Sequence, residues 1–313
     1  MDQKKESMEI YMSNEKNNIW YLNELSYKGK LYHYTDNKGY KGIFGENSDD
    51  NITLRFTRID CLKDKQERRN IRETIKNIAK QLKNENIISE EFYSKLYNYE
   101  PTNCGLTTSI TDTYNQETRN NTISIKYGKV DYYIACFSTN SNNRYIINEM
   151  NCTKRINFDS SFSNISNPQR IEEKKLGFLN SIFNYDDFDP CKSFQSCFLD
   201  YYMRRVLYND QEKEKLIKKC LIEISNDKSN FPSNLEQMYY LFDGFFKCKN
   251  FEKEEEVRLL VKVSKKDTDI KEFKKNNILF ADDEDNNIPK KYLYIPIDSV
   301  FLENDSVTDI ENT

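Results

Sequence analysis

The chain has 313 residues, 51 acidic against 47 basic side chains and a net charge of −4, so no basic surplus is available to neutralise a phosphate backbone. Its apolar fraction, 37%, is low, but 22 tyrosines and 19 phenylalanines supply enough large side chains for a core. One histidine, His33, excludes two-histidine chemistry within a single chain: the HExxH metalloprotease helix, paired-histidine nuclease sites and Cys2His2 zinc.

In chain order, residues 1–18 are polar and read as a flexible segment. Leu31-Tyr32-His33-Tyr34-Thr35 reads as a strand. Lys38 to Phe44 is turn-rich or a short helix around Gly39 and Gly42. Ile52 to Ile59 alternates Leu54 and Phe56 with Arg55 and Thr57, the period of a strand. Leu62 to Glu67 reads as a polar turn, where Asp64 can cap the next helix. That helix is expected over 69–84, with Ile71, Ile75, Ile78 and Leu82 on one face. Residues 84–121 look polar and irregular. Ile123–Tyr127 and Tyr132–Phe137 read as two strands of a hairpin turning at Gly128.

Residues 139–190 read as loop and 194–225 as helix. Ser233-Asn234-Leu235-Glu236 is a capping-box pattern that opens a further helix to about Phe246. Val257 to Val263 alternates strictly and reads as a strand. Tyr292 to Leu302 is strand-like, with Pro296 implying an edge or a bulge. This pattern predicts one α+β domain over 19–305, a helical insertion at about 191–250 and a tail at 306–313. It shows no Walker loop and no GxGxxG.

The eight cysteines form no Cys-x-x-Cys pair, so a zinc ribbon is not expected. Met1 to Lys16 is charged and unlike a signal peptide, and no run of about 20 apolar residues occurs. A cytoplasmic protein with reduced thiols is the simplest expectation.

Chemistry is most legible at Phe251-Glu252-Lys253-Glu254-Glu255-Glu256-Val257-Arg258. If the strand register runs back to Glu254, then Glu254, Glu256 and Arg258 share the face opposite Val257, Leu259 and Val261. Two carboxylates and a guanidinium would then project together, the like charge raising one carboxyl and the arginine lowering it. The plainer reading is a solvated acidic run before a strand. His33 could equally be a half-buried strand histidine, and Ser138-Thr139-Asn140 an ordinary strand exit.

Four motifs in order add to this: Leu31-Tyr32-His33-Tyr34-Thr35, Leu62-x-Asp64-x-x-Glu67, Cys136-Phe137-Ser138 and Glu254-x-Glu256-x-Arg258. Together they resemble a bacterial domain family of unknown function met among abortive-infection and phage-defence genes, whose members read LYHYT, LNDPxE, CFS and ExEWR. Here Lys63 and Lys65 replace the family's Asn and Pro, Val257 replaces its aromatic, and no Trp-x-x-Tyr follows Ser138. That family is in turn similar to the ADP-ribosyltransferase superfamily. The resemblance implies a split mixed or antiparallel β-sheet with inserted helices, and NAD+ as the consumed cofactor. It implies catalytic roles for Glu256, Glu254 and His33, and NAD+ contacts from His33, Tyr34, Thr35, Ser138 and Arg258. Asp64 and Glu67 would support the site or merely cap a helix, and no metal is implied. The implied function is a toxin or defence effector that modifies a protein or nucleic-acid acceptor or hydrolyses NAD+. The alternative is an inactive sensor or interaction module that meets a phage-derived trigger or partner chain.

Overall fold

A computed structural model describes residues 22–45, 51–62, 65–99, 105–115, 120–163, 199–226, 231–264, 279–285 and 288–310. The expectations for residues 1–18, for Asp64 and for much of 139–190 lie outside the described residues, as does the side chain of Glu67. Within them the protein is α+β. Ten strands form one open, mostly antiparallel sheet, to which residues from Leu31 to Asp309 contribute.

The strands are β1 Leu31–Thr35, β2 Asn51–Arg58, β3 Gly105–Asn115, β4 Asn120–Ser138, β5 Lys154–Phe158, β6 Leu199–Arg205, β7 Glu256–Ser264, β8 Leu279–Asp285, β9 Ile288–Asp298 and β10 Leu302–Asp309. The helices are α1 Asn37–Phe44, α2 Lys65–Asn84, α3 Glu90–Tyr97, α4 Arg144–Met150, α5 Asp210–Asn226 and α6 Phe231–Phe245. No described helix is long and apolar enough to cross a membrane.

β4 organises the sheet. One of its edges pairs with β7 continuously from Val130↔Ser264 to Ser138↔Glu256. Its other edge takes β2 at Thr57↔Ile134 and Arg58↔Tyr133, and β1 only at Tyr32↔Ser138. β1 and β2 therefore leave the same edge at different points, and the sheet divides into two wings. One wing runs β10-β5-β1 and the other β2-β9-β8.

Side chains of opposed residues share a face, so the register sorts the two cores. One face carries Tyr132, Ile134, Tyr202 and Leu260, which pack under α2, α3, α5 and α6. Among the described side chains of α2 the buried positions are Ile71, Ile75, Ile78, Ala79 and Leu82, which include the stripe anticipated from spacing. The other face carries Leu31, Ile156 and Phe158 from one wing, Leu54, Phe56 and Ile295 from the other, and Val257, Leu259, Val261 and Val263 between them. All belong to one cluster, so the wings curl over a shared core.

Several elements depart from expectation. The 123–127 and 132–137 segments are not a hairpin. They are one 19-residue strand, in which Gly128 pairs with Thr107 of β3. β3 itself, residues 105–115, was expected as irregular. Its threonines score as polar, yet they are β-branched and suit a pleated strand. α3 and β5 also arise in stretches expected as loop, α3 starting from the side-chain cap of Ser89 on Phe92 N. Within 194–225, expected as helix throughout, residues 199–205 are strand β6 beside β7, so part of the expected insertion belongs to the sheet. Residues 306–309, expected as tail, continue β10 against β5. Pro296 is not on an edge strand, because β9 lies between β2 and β8. It pairs with Thr53 just past the end of the β8 pairing at Leu279↔Tyr294.

Gly244 sets the approach of α6 to the sheet. A Cβ there would lie 2.7 Å from Cδ1 of Leu260, itself fully buried. Gly244→Ala gains about 1 kcal/mol of helix propensity but overpacks a closed contact at about 1–3 kcal/mol. A net loss of about 1 kcal/mol is expected in urea unfolding, and a stabilised variant would contradict this account of the contact.

Candidate active site

The chemistry-bearing residues gather where β1 and β7 begin on either side of the end of β4. Tyr32, Ser138 and Glu256 form one row across the three strands, and Cys136 lies opposite Arg258 one step along. All five side chains therefore share the helix-covered face.

β7 begins at Glu256, so the register does not extend to Glu254 as expected. Glu254 instead ends a 3-10 turn, Lys249–Glu254, and Glu255 follows with φ 47°, a left-handed conformation rare for a residue with a side chain. That reversal still delivers both carboxylates to one place. Lys247, just beyond α6, sets Nζ 2.5 Å from Oε2 of Glu254 and 3.3 Å from Oε2 of Glu256. Arg258 grips Glu256 with two parallel bonds, Nε to Oε1 and Nη2 to Oε2, both 3.0 Å, and donates Nη1 to Gly244 O at 2.7 Å. The Tyr208 hydroxyl accepts from Glu256 N at 3.2 Å.

Glu254, Glu256 and Arg258 are each under 8% exposed, so this is not a solvated acidic run. Burial alone would raise the Glu256 carboxyl, but Arg258 and Lys247 overcome it and hold the group down at about 2. Glu256 is thus a fixed anion. Glu254 moves the other way: burial and the charge of Glu256 raise it, with Lys247 opposing. Cys136, opposite Arg258 in the register, lies beside Glu256 on the same face. The residue is solvent-exposed although protein packs around the sulfur, which marks it as the open side of the cluster. Burial, and then the neighbouring Glu256, push its thiol up, away from the reactive thiolate form.

Ser138 is fully buried. Its hydroxyl donates to Glu254 O at 3.0 Å and accepts from Asn140 N and from Asn143 Nδ2. It braces the turn before β7 rather than presenting a free hydroxyl. The Tyr34 hydroxyl is likewise committed, donating to Asn140 O at 2.6 Å and accepting from Asn143 N. Thr35 closes β1 opposite Lys154 of β5, away from the Glu256 row.

His33 lies on the opposite face, its ring 5.7 Å from that of Phe137. It reaches the cluster through the backbone. Its Nδ1 is 2.9 Å from the carbonyl of Cys136, on the β4 edge between the points where β2 and β1 pair. A carbonyl only accepts, so Nδ1 carries the proton and a neutral ring keeps Nε2 as an acceptor. Burial lowers its pKa below the ordinary 6.5, favouring that neutral form. The structure thus brings Glu254, Glu256, Arg258 and Ser138 together, bonds Tyr34 of β1 to the loop beside them and joins His33 only through Cys136.

Sequence reasoning missed Lys247, Tyr208 and Asn143 as members of the cluster. The first two carry no local signal. Asn143 caps α4 through Oδ1 on Ile146 N, while its Nδ2 donates to Ser138 Oγ, Lys253 O and Glu254 O. Loss of this cap and of bonds to buried carbonyls predicts a cost of about 2 kcal/mol for Asn143→Ala. Urea denaturation of the variant checks this, and a cost under about 0.5 kcal/mol would remove Asn143 from the site's support.

Fold and cluster together define an α+β protein with a divided antiparallel sheet and a buried two-carboxylate, two-cation centre. No family model, no curated protein and no solved structure matches the chain.

Proposed function

We propose that this protein is an NAD+-consuming enzyme of ADP-ribosyltransferase-like fold. In this reading it is a toxin or phage-defence effector that transfers ADP-ribose to a protein or nucleic-acid acceptor, or hydrolyses NAD+. The observation that carries the reading is the convergence of three distant motifs. The His-Tyr-Thr strand, the Cys-Phe-Ser strand end and the Glu-x-Glu-x-Arg strand start lie on adjacent strands where the sheet divides, in the row Tyr32–Ser138–Glu256.

Departure of nicotinamide leaves positive charge on the ribose, and a fixed anion stabilises it. Glu256, ionised and held in place by Arg258, supplies that field. Neutral His33 lies across the sheet from Glu256, so in this reading it acts on the site through its bond to the Cys136 carbonyl, with Nε2 left as an acceptor on the far face. Glu254, whose carboxyl is raised, orients or deprotonates the acceptor. Tyr34 and Ser138 act through the loop and the turn they fix, and Thr35 stands apart from the row.

A second reading, a catalytically inactive sensor or interaction module, is favoured by one observation: both Glu256 oxygens are already bonded within the chain. Nicotinamide release from NAD+ by wild type, Glu256→Gln and His33→Ala separates the two. The enzyme reading expects release by wild type and a loss on the order of 100-fold or more in Glu256→Gln. No release with cell lysate supplied as acceptor leaves a degenerate fold used for binding or an enzyme awaiting its trigger, and absence of a thermal shift with NAD+ favours the first.

A further inference from the structure

Lys247 belongs to none of the sequence motifs, yet both its backbone and its side chain are held in the cluster. Its backbone is fixed on both sides: N donates to Leu207 O at 3.1 Å, and O accepts from Lys213 Nζ at 2.7 Å. Its Nζ reaches Glu254 Oε2 and Glu256 Oε2 and sits 4.6 Å from the centroid of Phe251, an aromatic face that favours a cation. Glu256 already has Arg258 in a two-point grip, so it does not need the lysine to be satisfied. Glu254 differs: among the described side chains, Lys247 makes its one hydrogen-bonded ion pair, and Glu256 faces it as a like charge.

We propose that Lys247 is the positioning residue of this site, the group that holds Glu254 as a charged partner of Glu256 and so creates the two-carboxylate unit. That unit serves as base and electrostatic stabiliser only if the proposed NAD+ reading holds, but the positioning role stands on the geometry alone. The charged and titratable groups that bear on Glu254 are Lys247 beyond α6, Glu256 and Arg258 on β7, and Tyr208 between β6 and α5. Removing the ammonium leaves a buried carboxylate beside another carboxylate, and the cheapest relief is protonation of Glu254.

The test uses the full chain labelled with carboxyl-13C glutamate, the Glu254 signal being identified by its loss in Glu254→Gln. Lys247→Met is expected to move the Glu254 midpoint upward by at least about one pH unit, a tenfold gain in proton affinity. Lys247→Arg is expected to keep it near the wild-type value. The acid limb of nicotinamide release should follow the same midpoint. An unchanged Glu254 midpoint in Lys247→Met overturns the proposal. A shifted midpoint with no nicotinamide release by any form upholds Lys247 and rejects the NAD+ reading. Should Lys247→Met fail to fold, adding Glu254→Gln must restore folding, because it removes the charge that the lysine serves. A double variant as unstable as the single one overturns the proposal as well.

Discussion

Replacing Arg258 by methionine is expected to destabilise the protein by about 3–5 kcal/mol, because it strands a buried carboxylate rather than merely deleting a bond. Arg258 makes both Nε and Nη2 bonds to Glu256 and closes Gly244 O at the end of α6. After the substitution Glu256 keeps only the 3.3 Å contact with Lys247, which is already committed to Glu254. Urea unfolding near pH 7 measures the loss. The double variant Arg258→Met with Glu256→Gln should be more stable than Arg258→Met alone, since the stranded charge is gone. Additive losses in that cycle would show that Arg258 acts through packing and the Gly244 carbonyl, not through the ion pair.

The second large effect concerns acid. Glu256 titrates at about 2 in the folded chain against an ordinary 4.5. A carboxyl depressed by folding contributes stability that is complete above 4.5 and is lost as pH falls from there to about 2. The size is about 3 kcal/mol. Glu254 carries the opposite sign. Its folded value is raised, so its contribution is complete below its ordinary 4.5 and disappears as pH rises through the folded value. Because Glu256 also shifts Glu254, the effect of Glu256→Gln on unfolding free energy is measured in a Glu254→Gln background, followed from pH 2.5 to 7, which isolates the first effect. It should climb through the range 2.5–4.5 and then level. A flat difference would mean that Glu256 is not held as an anion.

The parts legible in the sequence were those whose side chains obey one rule along the whole element. β2 and β7 alternate cleanly, β1 is a short apolar-aromatic run, and the isoleucine stripe of α2 repeats at helical spacing, so each is placed within a few residues. β3 was missed because threonine counts as polar in a hydropathy pattern while its branched Cβ fits a strand. β6 was missed because Asp200-Tyr201-Tyr202-Met203-Arg204 mixes charge and aromatics, and only its pairing with β7 determines its conformation. At the site, the Glu-x-Glu-x-Arg spacing pointed to the right residues for a partly wrong reason. Glu256 and Arg258 do share a strand face, whereas Glu254 arrives through the left-handed turn at Glu255. Lys247 and Tyr208 could not be read at all, since their membership depends on where α6 stops and where the chain leaves β6.

The imidazole lodged where the sheet divides has a practical side. Because the chain holds no other histidine, its ring protons give a single set of histidine signals, with nothing to deconvolute. Those nuclei sit within one carbonyl of Cys136 and against Phe137, so the protein carries a built-in spectroscopic label at the junction of its two wings. Any ligand, partner or substitution that opens or closes that junction can be followed in solution on the unmodified chain.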